Sequence, residues 1–322
     1  MGEGVNGCYC SADEPEVHPV FHTSTAQLHP FTNLPIHPFA RSFALSRLCP
    51  FTTLYYDPIK KTLGQVFNRT PWLRRLFYML LDLLLLRTWH VHRELRRWAK
   101  GRTQQPMNIL DAGSGYGQYS YWMSGLSAKW NILAVDVKED QVADSNQFFR
   151  QIGRHNVQFA VQDLVLYQEP NSFDLALSVD VMEHILEDVE VFRNIHASLK
   201  DGGMLLISTP SDQGGSDVHD DGETSFIEEH VRDGYNIREI QQKLSTAGFE
   251  RIEARYAYGE PGQISWRLSM KYPILMLGKS RLFFLLLPFY YLVTFPFCLL
   301  LNWFDARTTH DSGTGLIVKA WK

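Results

Sequence analysis

The 322-residue chain is expected to form an α/β fold: a doubly wound, seven-stranded, mostly parallel sheet with helices on both faces. Three observations predict it. Between Asn108 and Pro210, short apolar runs alternate with helical stretches of ordinary length, the pattern of parallel strands joined by crossover helices. The first run ends in a glycine-rich turn that opens a helix. Two later runs, FERIEARYAYG and GTGLIVKAWK, bring the strand count to seven.

Residues 1–50 are rich in Pro, His, Ser and Thr without apolar periodicity, and are expected to be a loosely ordered leader. Residues 51–104 read as a helical appendage. Thr70 is a good N-cap and Pro71 suits the first helical position, so PWLRRLFYMLLDLLLLRTWHVHRELRRWAK predicts helix from Pro71 to Lys100. Arg74, Arg75, Asp82 and Arg87 interrupt its apolar run, which makes it a poor membrane span. Its second half is basic, with Arg93, Arg96 and Arg97. Residues 105–259 hold the five alternating runs (NILDAG, ILAVDV, VQFAVQD, FDLALSVD and GMLLIST) and the sixth strand, with Gly248 closing the helix before it. Residues 260–311 are an apolar helical insertion, and residues 312–322 return as the last strand.

The chain carries 31 basic and 35 acidic residues, a net charge of −4. A nucleic-acid partner is therefore not expected. Cys8, Cys10, Cys49 and Cys298 show neither a disulfide framework nor two closely spaced ligand pairs, so no metal site is expected and a cytoplasmic location fits.

The run ILDAGSGYGQYS carries the chemistry. A strand leads into Asp111; Gly113, Ser114, Gly115 and Gly117 then turn the chain into a helix. Glycine lets backbone pass close to a ligand, and a helix N-terminus favours an anionic group. Dinucleotide dehydrogenases favour G-x-G-x-x-G. Here the order is G-x-G-x-G, with an acid two positions ahead. The run resembles motif I of the class I S-adenosylmethionine-dependent methyltransferases, and the resemblance implies a loop around the amino acid end of that cofactor. The next strand ends at Asp136, followed by Val137; an acid there can bond both ribose hydroxyls. The third ends in Asp163-Leu164, where the resemblance implies contact of the carboxylate with the adenine amino group and of the next amide with the ring. The fourth strand, with Ser178 in FDLALSVDVMEHI, resembles motif IV, whose end faces cofactor and acceptor. These matches cover Asn108 to Pro210. Beyond them, EEHVRDGYNIREIQQKLSTAGFERIEARY is similar to the region before the sixth strand in small-molecule methyltransferases of the ubiquinone/menaquinone-biosynthesis-like group.

A sulfonium already makes its methyl group electrophilic, so the protein must align the reactants and exclude water. A base assists a hydroxyl or carbon nucleophile. His184, with Asp180 and Glu183 nearby, and His230 are the catalytic candidates. The plainer roles are that Glu183-His184 caps the helix after the fourth strand and that His230 orients a covering loop. The absence of a DPPY-type tetrad argues against a nucleobase amino acceptor.

From Leu282 to Phe304 no residue is charged. As one helix the stretch would reach about 35 Å, enough to cross a bilayer, but Pro288 and Pro296 are expected to break it. In the resembled fold the sixth and seventh strands pair antiparallel, so both ends of the insertion must lie on one side of a membrane. The expectation is a broken helical hairpin that dips into one leaflet or caps an apolar pocket. The expected function is methyl transfer from S-adenosylmethionine to a small lipophilic acceptor (an isoprenoid, quinone or lipid-like compound), with peripheral membrane contact. Three alternatives stand beside it. They are a soluble small-molecule O- or N-methyltransferase with a hydrophobic cap, a non-catalytic membrane-associated scaffold, and a dehydrogenase.

Overall fold

Thr70 opens the described structure: its hydroxyl accepts from the backbone N–H of Leu73, and Pro71 begins helix α1, Pro71–Leu84. The computed structural model describes residues 70–214, 231–280 and 283–322, all within one compact unit, residues 55–322. The leader, residues 51–69 and His230 lie outside the described residues.

The expected single helix from Pro71 to Lys100 is two helices. Leu85 is extended (φ −90°, ψ 114°) and separates α1 from α2, Leu86–Ala99. No side chain caps α2 locally; instead the N–H of Arg87 donates to the hydroxyl of Tyr258 at 2.8 Å. An orphan donor of the first helical turn is thus satisfied by a residue 171 positions away, which no local signal in the leucine run announces.

The core follows as β1 Met107–Ala112, α3 Gln118–Leu126, β2 Trp130–Asp136, α4 Glu139–Gln151, β3 Val157–Val161, β4 Phe173–Val179, α5 Asp188–Ser198, β5 Leu199–Pro210, α6 Ile237–Thr246 and β6 Arg251–Ala257. The chain ends in β7, Gly315–Trp321. The sheet order is β3-β2-β1-β4-β5-β7-β6, parallel except that β7 runs antiparallel to both β5 and β6. This is the doubly wound, seven-stranded sheet the alternation predicts. Two apolar layers sandwich it: one includes Val91, Met123, Phe149 and Leu177, the other Leu110, Phe192, Leu205 and Ile240. The strand order reverses between β1 and β4, the position at which open α/β sheets leave a crevice for ligands.

Between β6 and β7 the insertion forms α7 Glu260–Trp266, a π-helical turn Arg267–Lys271, α8 Tyr272–Lys279 and α9 Phe283–Arg307. The expected breaks at Pro288 and Pro296 do not occur: both lie inside the continuous 25-residue α9. The hairpin is made instead by α9 returning along α7 and the π turn. Neighbouring tyrosines secure that packing, the Tyr290 hydroxyl donating to the carbonyl of Leu268 and that of Tyr291 to the carbonyl of Ser269. Side-chain bonds of this kind, with Ser265 donating to the carbonyl of Cys298, hold the helix in place despite the two missing N–H donors. Deeper in the fold, the carboxylate of Asp305 accepts from the N–H of Gly262 in the first turn of α7 and from His90 Nε2 of α2, at 2.9 and 2.8 Å.

Candidate active site

The loop after β1 is held from below. The N–H groups of Gly113 and Ser114 both donate to the carbonyl of Val135, and that of Gly115 donates to Asp136 Oδ2 at 2.8 Å. The other oxygen of Asp136 accepts from the N–H of Lys138. Gly117 caps α3 in the left-handed region, φ +78°, where an added Cβ would strike the ring of Phe159 at 2.6 Å. Gly115 is the opposite case. Its φ is +51°, and a Cβ there would meet no protein atom within 4 Å, so the loop offers bare backbone to open space. Two buried hydroxyls beside the crevice, Ser114 Oγ and Ser178 Oγ, have no hydrogen-bond partner among the described residues. Open space over Gly115 and orphaned hydroxyls fit a polar cofactor in this crevice.

The remaining cofactor candidates are placed as follows. Val137 is exposed just after β2. Asp163 is exposed and its Oδ1 accepts from the N–H of Val165, closing the turn after β3, while Leu164 is buried. Asp111 is buried, and its carboxylate accepts from the Ser120 hydroxyl at 2.6 Å. Burial pushes its pKa up to about 6, against the lowering effect of that hydrogen bond. Asp111 therefore braces the loop onto α3.

The N-terminal helices belong to the site, which the sequence reading missed. Arg74 and Tyr78, one turn apart on α1, are both buried. Arg74 donates to Tyr78, to Ser145 and to the carbonyl of Tyr116 in the glycine loop, and Tyr78 donates to the same carbonyl. Farther along α1, Asp82 accepts from Gln118 at the start of α3. The sequence signal was the position of Arg74 and Asp82, beside Arg75, within a largely apolar helix.

On the other side of β4 lies a cavity of about 900 Å³. Its walls come from the α1–α2 break, the end of β5, the start of β7 and the insertion hairpin, with Leu85, Trp266, Met270 and Leu316 among the apolar lining. Asp180 lines it directly after β4 and forms an ion pair with Arg87. The next residue, Val181, packs against the glycine loop, where its methyl groups would clash with any Cβ on Gly113. Adjacent residues thus touch the cofactor crevice and the cavity. Asp180 and Tyr258, both in the cavity wall, are two of the three non-glycine residues with positive φ among the described residues, at +51° and +56°. Such strain concentrates at functional sites.

The sequence candidate His184 ends a 3₁₀ turn, Met182–His184, and is exposed; it does not line the cavity. Its neighbour Glu183 is buried and accepts from the hydroxyl of Thr209. Burial, reinforced by the nearby Asp180 carboxylate, pushes the Glu183 carboxyl well above the usual range. Among the described residues no cluster of His, Cys, Asp and Glu could hold a metal ion.

Residues 104–248 match the family model described as "Methyltransferase domain". The chain is 30% identical over 156 residues to phosphoethanolamine N-methyltransferase 1 of Triticum aestivum, covering 45% of this chain and 29% of that protein. It is 31% identical over 104 residues to a ubiquinone biosynthesis O-methyltransferase of Xanthomonas euvesicatoria pv. vesicatoria, covering 31% and 42%. The chain thus spans about a third of the length of the first curated relatives. Its fold is similar to that of the Haemonchus contortus phosphoethanolamine N-methyltransferase 2 solved with S-adenosyl-L-methionine, with a TM-score of 0.51 and 19% identity over 76% of this chain and 60% of that one.

Proposed function

With residues 104–248 forming a class I S-adenosylmethionine-dependent methyltransferase domain, we propose that the chain transfers the methyl group of S-adenosylmethionine to a small, lipophilic acceptor held in the cavity beside β4. The observation that carries this reading is the adjacency of Val181, against the glycine loop, and Asp180, in the cavity wall. It supports a reading in which the cofactor lies in the crevice and the acceptor in the cavity, on either side of one strand end.

The cofactor, when bound, supplies an electrophilic methyl group on a sulfonium. The residues suited to hold it are the loop Gly113–Gly117 with Ser114, Asp136 for the ribose, Val137, Asp163 and Leu164 for the base, and Ser178 at the strand end. Asp180 is suited to accept a hydrogen bond from the acceptor's nucleophilic group and to turn it toward the crevice, with Arg87 holding the carboxylate in place. Tyr258 and the paired helices α1 and α2 shield the site from water.

The lipophilic acceptor is supported by the apolar lining and by the outer surface of the hairpin. Leu285–Arg307 is long and apolar enough to cross a membrane, and only 11% of its most apolar window is buried. Phe289 is 69% and Leu292 76% exposed. The helix lies within an insertion whose flanking strands are paired, Ala257 against Gly315, so both ends of the insertion lie on one side of any membrane. We propose that it lies in one leaflet as a peripheral attachment on the cytoplasmic side. Arg96 and Arg97 are exposed on α2, whereas Arg93 donates to the carbonyl of Ala306 at the end of α9 and braces the hairpin.

Incubation with isotope-labelled methyl donor and a total lipid extract, followed by mass spectrometry, tests the reading. A labelled amphiphile is expected. Label appearing only in water-soluble products would favour a soluble O- or N-methyltransferase with a hydrophobic cap.

A further inference from the structure

The same helix that presents apolar side chains outward carries two buried polar residues, Asp305, whose carboxylate is fully bonded, and Asn302. Asn302 on α9 is 3% exposed, lines the cavity, and its Oδ1 has no hydrogen-bond partner among the described residues. A buried amide carbonyl left unpaired is destabilising, and most of the residues around it on this helix are apolar. Neighbouring polar groups do not use it. Ser265 donates to Cys298, Gln263 to Tyr258, and Tyr290 and Tyr291 to the π turn. The carbonyl therefore keeps its acceptor capacity unspent, in a residue that lines the cavity.

The wall around it is built from irregular backbone. The π turn Arg267–Lys271 supplies Arg267, Ser269 and Met270 to the lining. Wide turns of this kind recur at binding sites. Met270 is at once a lining residue and part of the exposed apolar surface continued by Tyr272, Ile274 and Leu275. Cavity and outer face thus share an edge at Met270.

We propose that Asn302 is a specificity-determining residue for the acceptor. Its Oδ1 receives a hydrogen bond from a hydroxyl, phenol or amino group on the polar end of an amphiphile whose apolar part runs past Met270. The proposal rests on the reading of the cavity as the acceptor site. It adds that the acceptor carries a donor, and that an otherwise identical molecule without one is rejected because the carbonyl would stay buried and unpaired.

The test uses two water-soluble probes, 4-butylphenol and its methyl ether 4-butylanisole, titrated calorimetrically into the full chain with S-adenosylhomocysteine present. The parent protein is expected to prefer the phenol, and Asn302→Leu to lose about five- to tenfold of that preference, the usual range for one hydrogen bond. Asn302→Leu should also raise the melting temperature of the unliganded protein, because it removes an unpaired buried carbonyl at nearly constant volume. A residue needed for the fold would do the reverse. Equal affinity of the parent for both probes, no binding of either, an unchanged preference in the variant, or a variant that melts lower or fails to fold would each overturn the proposal. Binding of S-adenosylhomocysteine, measured on the same samples, reports separately on the methyltransferase reading. Its absence would sink that reading, while the probe preference would still judge Asn302.

Discussion

Arg87, in the first turn of α2, forms an ion pair with Asp180, the residue that follows β4. The pair closes the N-terminal helices onto the end of the parallel sheet. Asp180 itself is in a left-handed conformation, φ +51°, that residues other than glycine seldom adopt.

Removing the partner should therefore disturb turnover more than folding. Arg87→Met is expected to lower kcat about tenfold, with little change in cofactor affinity and about 1 kcal/mol or less of stability, since both side chains are about one-third exposed. Asp180→Asn should lower kcat further than His184→Ala, because Asp180 lines the cavity and His184 does not. Steady-state kinetics on the three variants decides the order. A larger loss in His184→Ala would return the proton-accepting role to the histidine.

Cofactor binding has its own signature. Calorimetry should show binding of S-adenosylmethionine and its demethylated product and none of nicotinamide dinucleotides. Asp136→Ala should weaken that binding by about 1.5–3 kcal/mol, the range for hydrogen bonds to a charged group. An unaltered affinity would place the ribose elsewhere.

Gly115→Ala separates cradle from scaffold. The added Cβ meets no protein atom, so folding should lose only the backbone cost of a left-handed alanine, about 1–2 kcal/mol. The same methyl group would project into the space assigned to the cofactor, and affinity should fall by about tenfold or more, as overpacking does elsewhere. Thermal melts alongside titrations read both quantities; full affinity in a stable variant would refute the cradle.

Asp111 makes stability depend on pH in an unusual direction. Its folded pKa is about 6 against an ordinary 3.8, so between those values the folded state binds more protons than the unfolded one. Stability from this group is present below about pH 4 and is lost as pH rises to about 6. Two units correspond to at most about 3 kcal/mol. Asp111→Asn, which keeps an acceptor for Ser120, should gain stability relative to the parent as pH goes from 4 to 7. Chemical denaturation at both pH values measures it, and a difference that does not change with pH would contradict the buried carboxyl.

The hairpin is tested by charge. Phe289→Glu combined with Leu292→Glu changes only exposed positions and should leave the melting temperature nearly unchanged. Flotation with vesicles of phosphatidylcholine and phosphatidylserine should be present in the parent and lost in the double variant. Equal flotation of both would remove α9 as the membrane contact.

Much of the frame is legible in the residues. The alternation from Asn108 to Pro210 marks five strands because a sheet buried on both faces needs continuous apolar runs. The D-A-G-S-G-Y-G spacing marks the crevice because only glycine can present bare backbone there. The uncharged stretch after Leu282 marks the exposed helix by composition alone. Other features are not legible locally. The break at Leu85 is accompanied by a bond from Arg87 to the distant Tyr258, and α9, continuous through two prolines, is packed by tyrosine bonds to the π turn.

By itself, then, the sequence determined the fold class, the glycine-rich loop and the apolar character of the insertion. These follow from periodicity and from residue types that a few consecutive positions display. Only the tertiary structure decided which polar groups line the cavity. Arg87, Asp180, Tyr258 and Asn302 come from four distant elements, and each is unremarkable among its neighbours in the chain. Their shared role arises from a low-polarity cavity in which an isolated charge or carbonyl must find a partner, and that requirement exists only once the sheet, the N-terminal helices and the hairpin have closed around it.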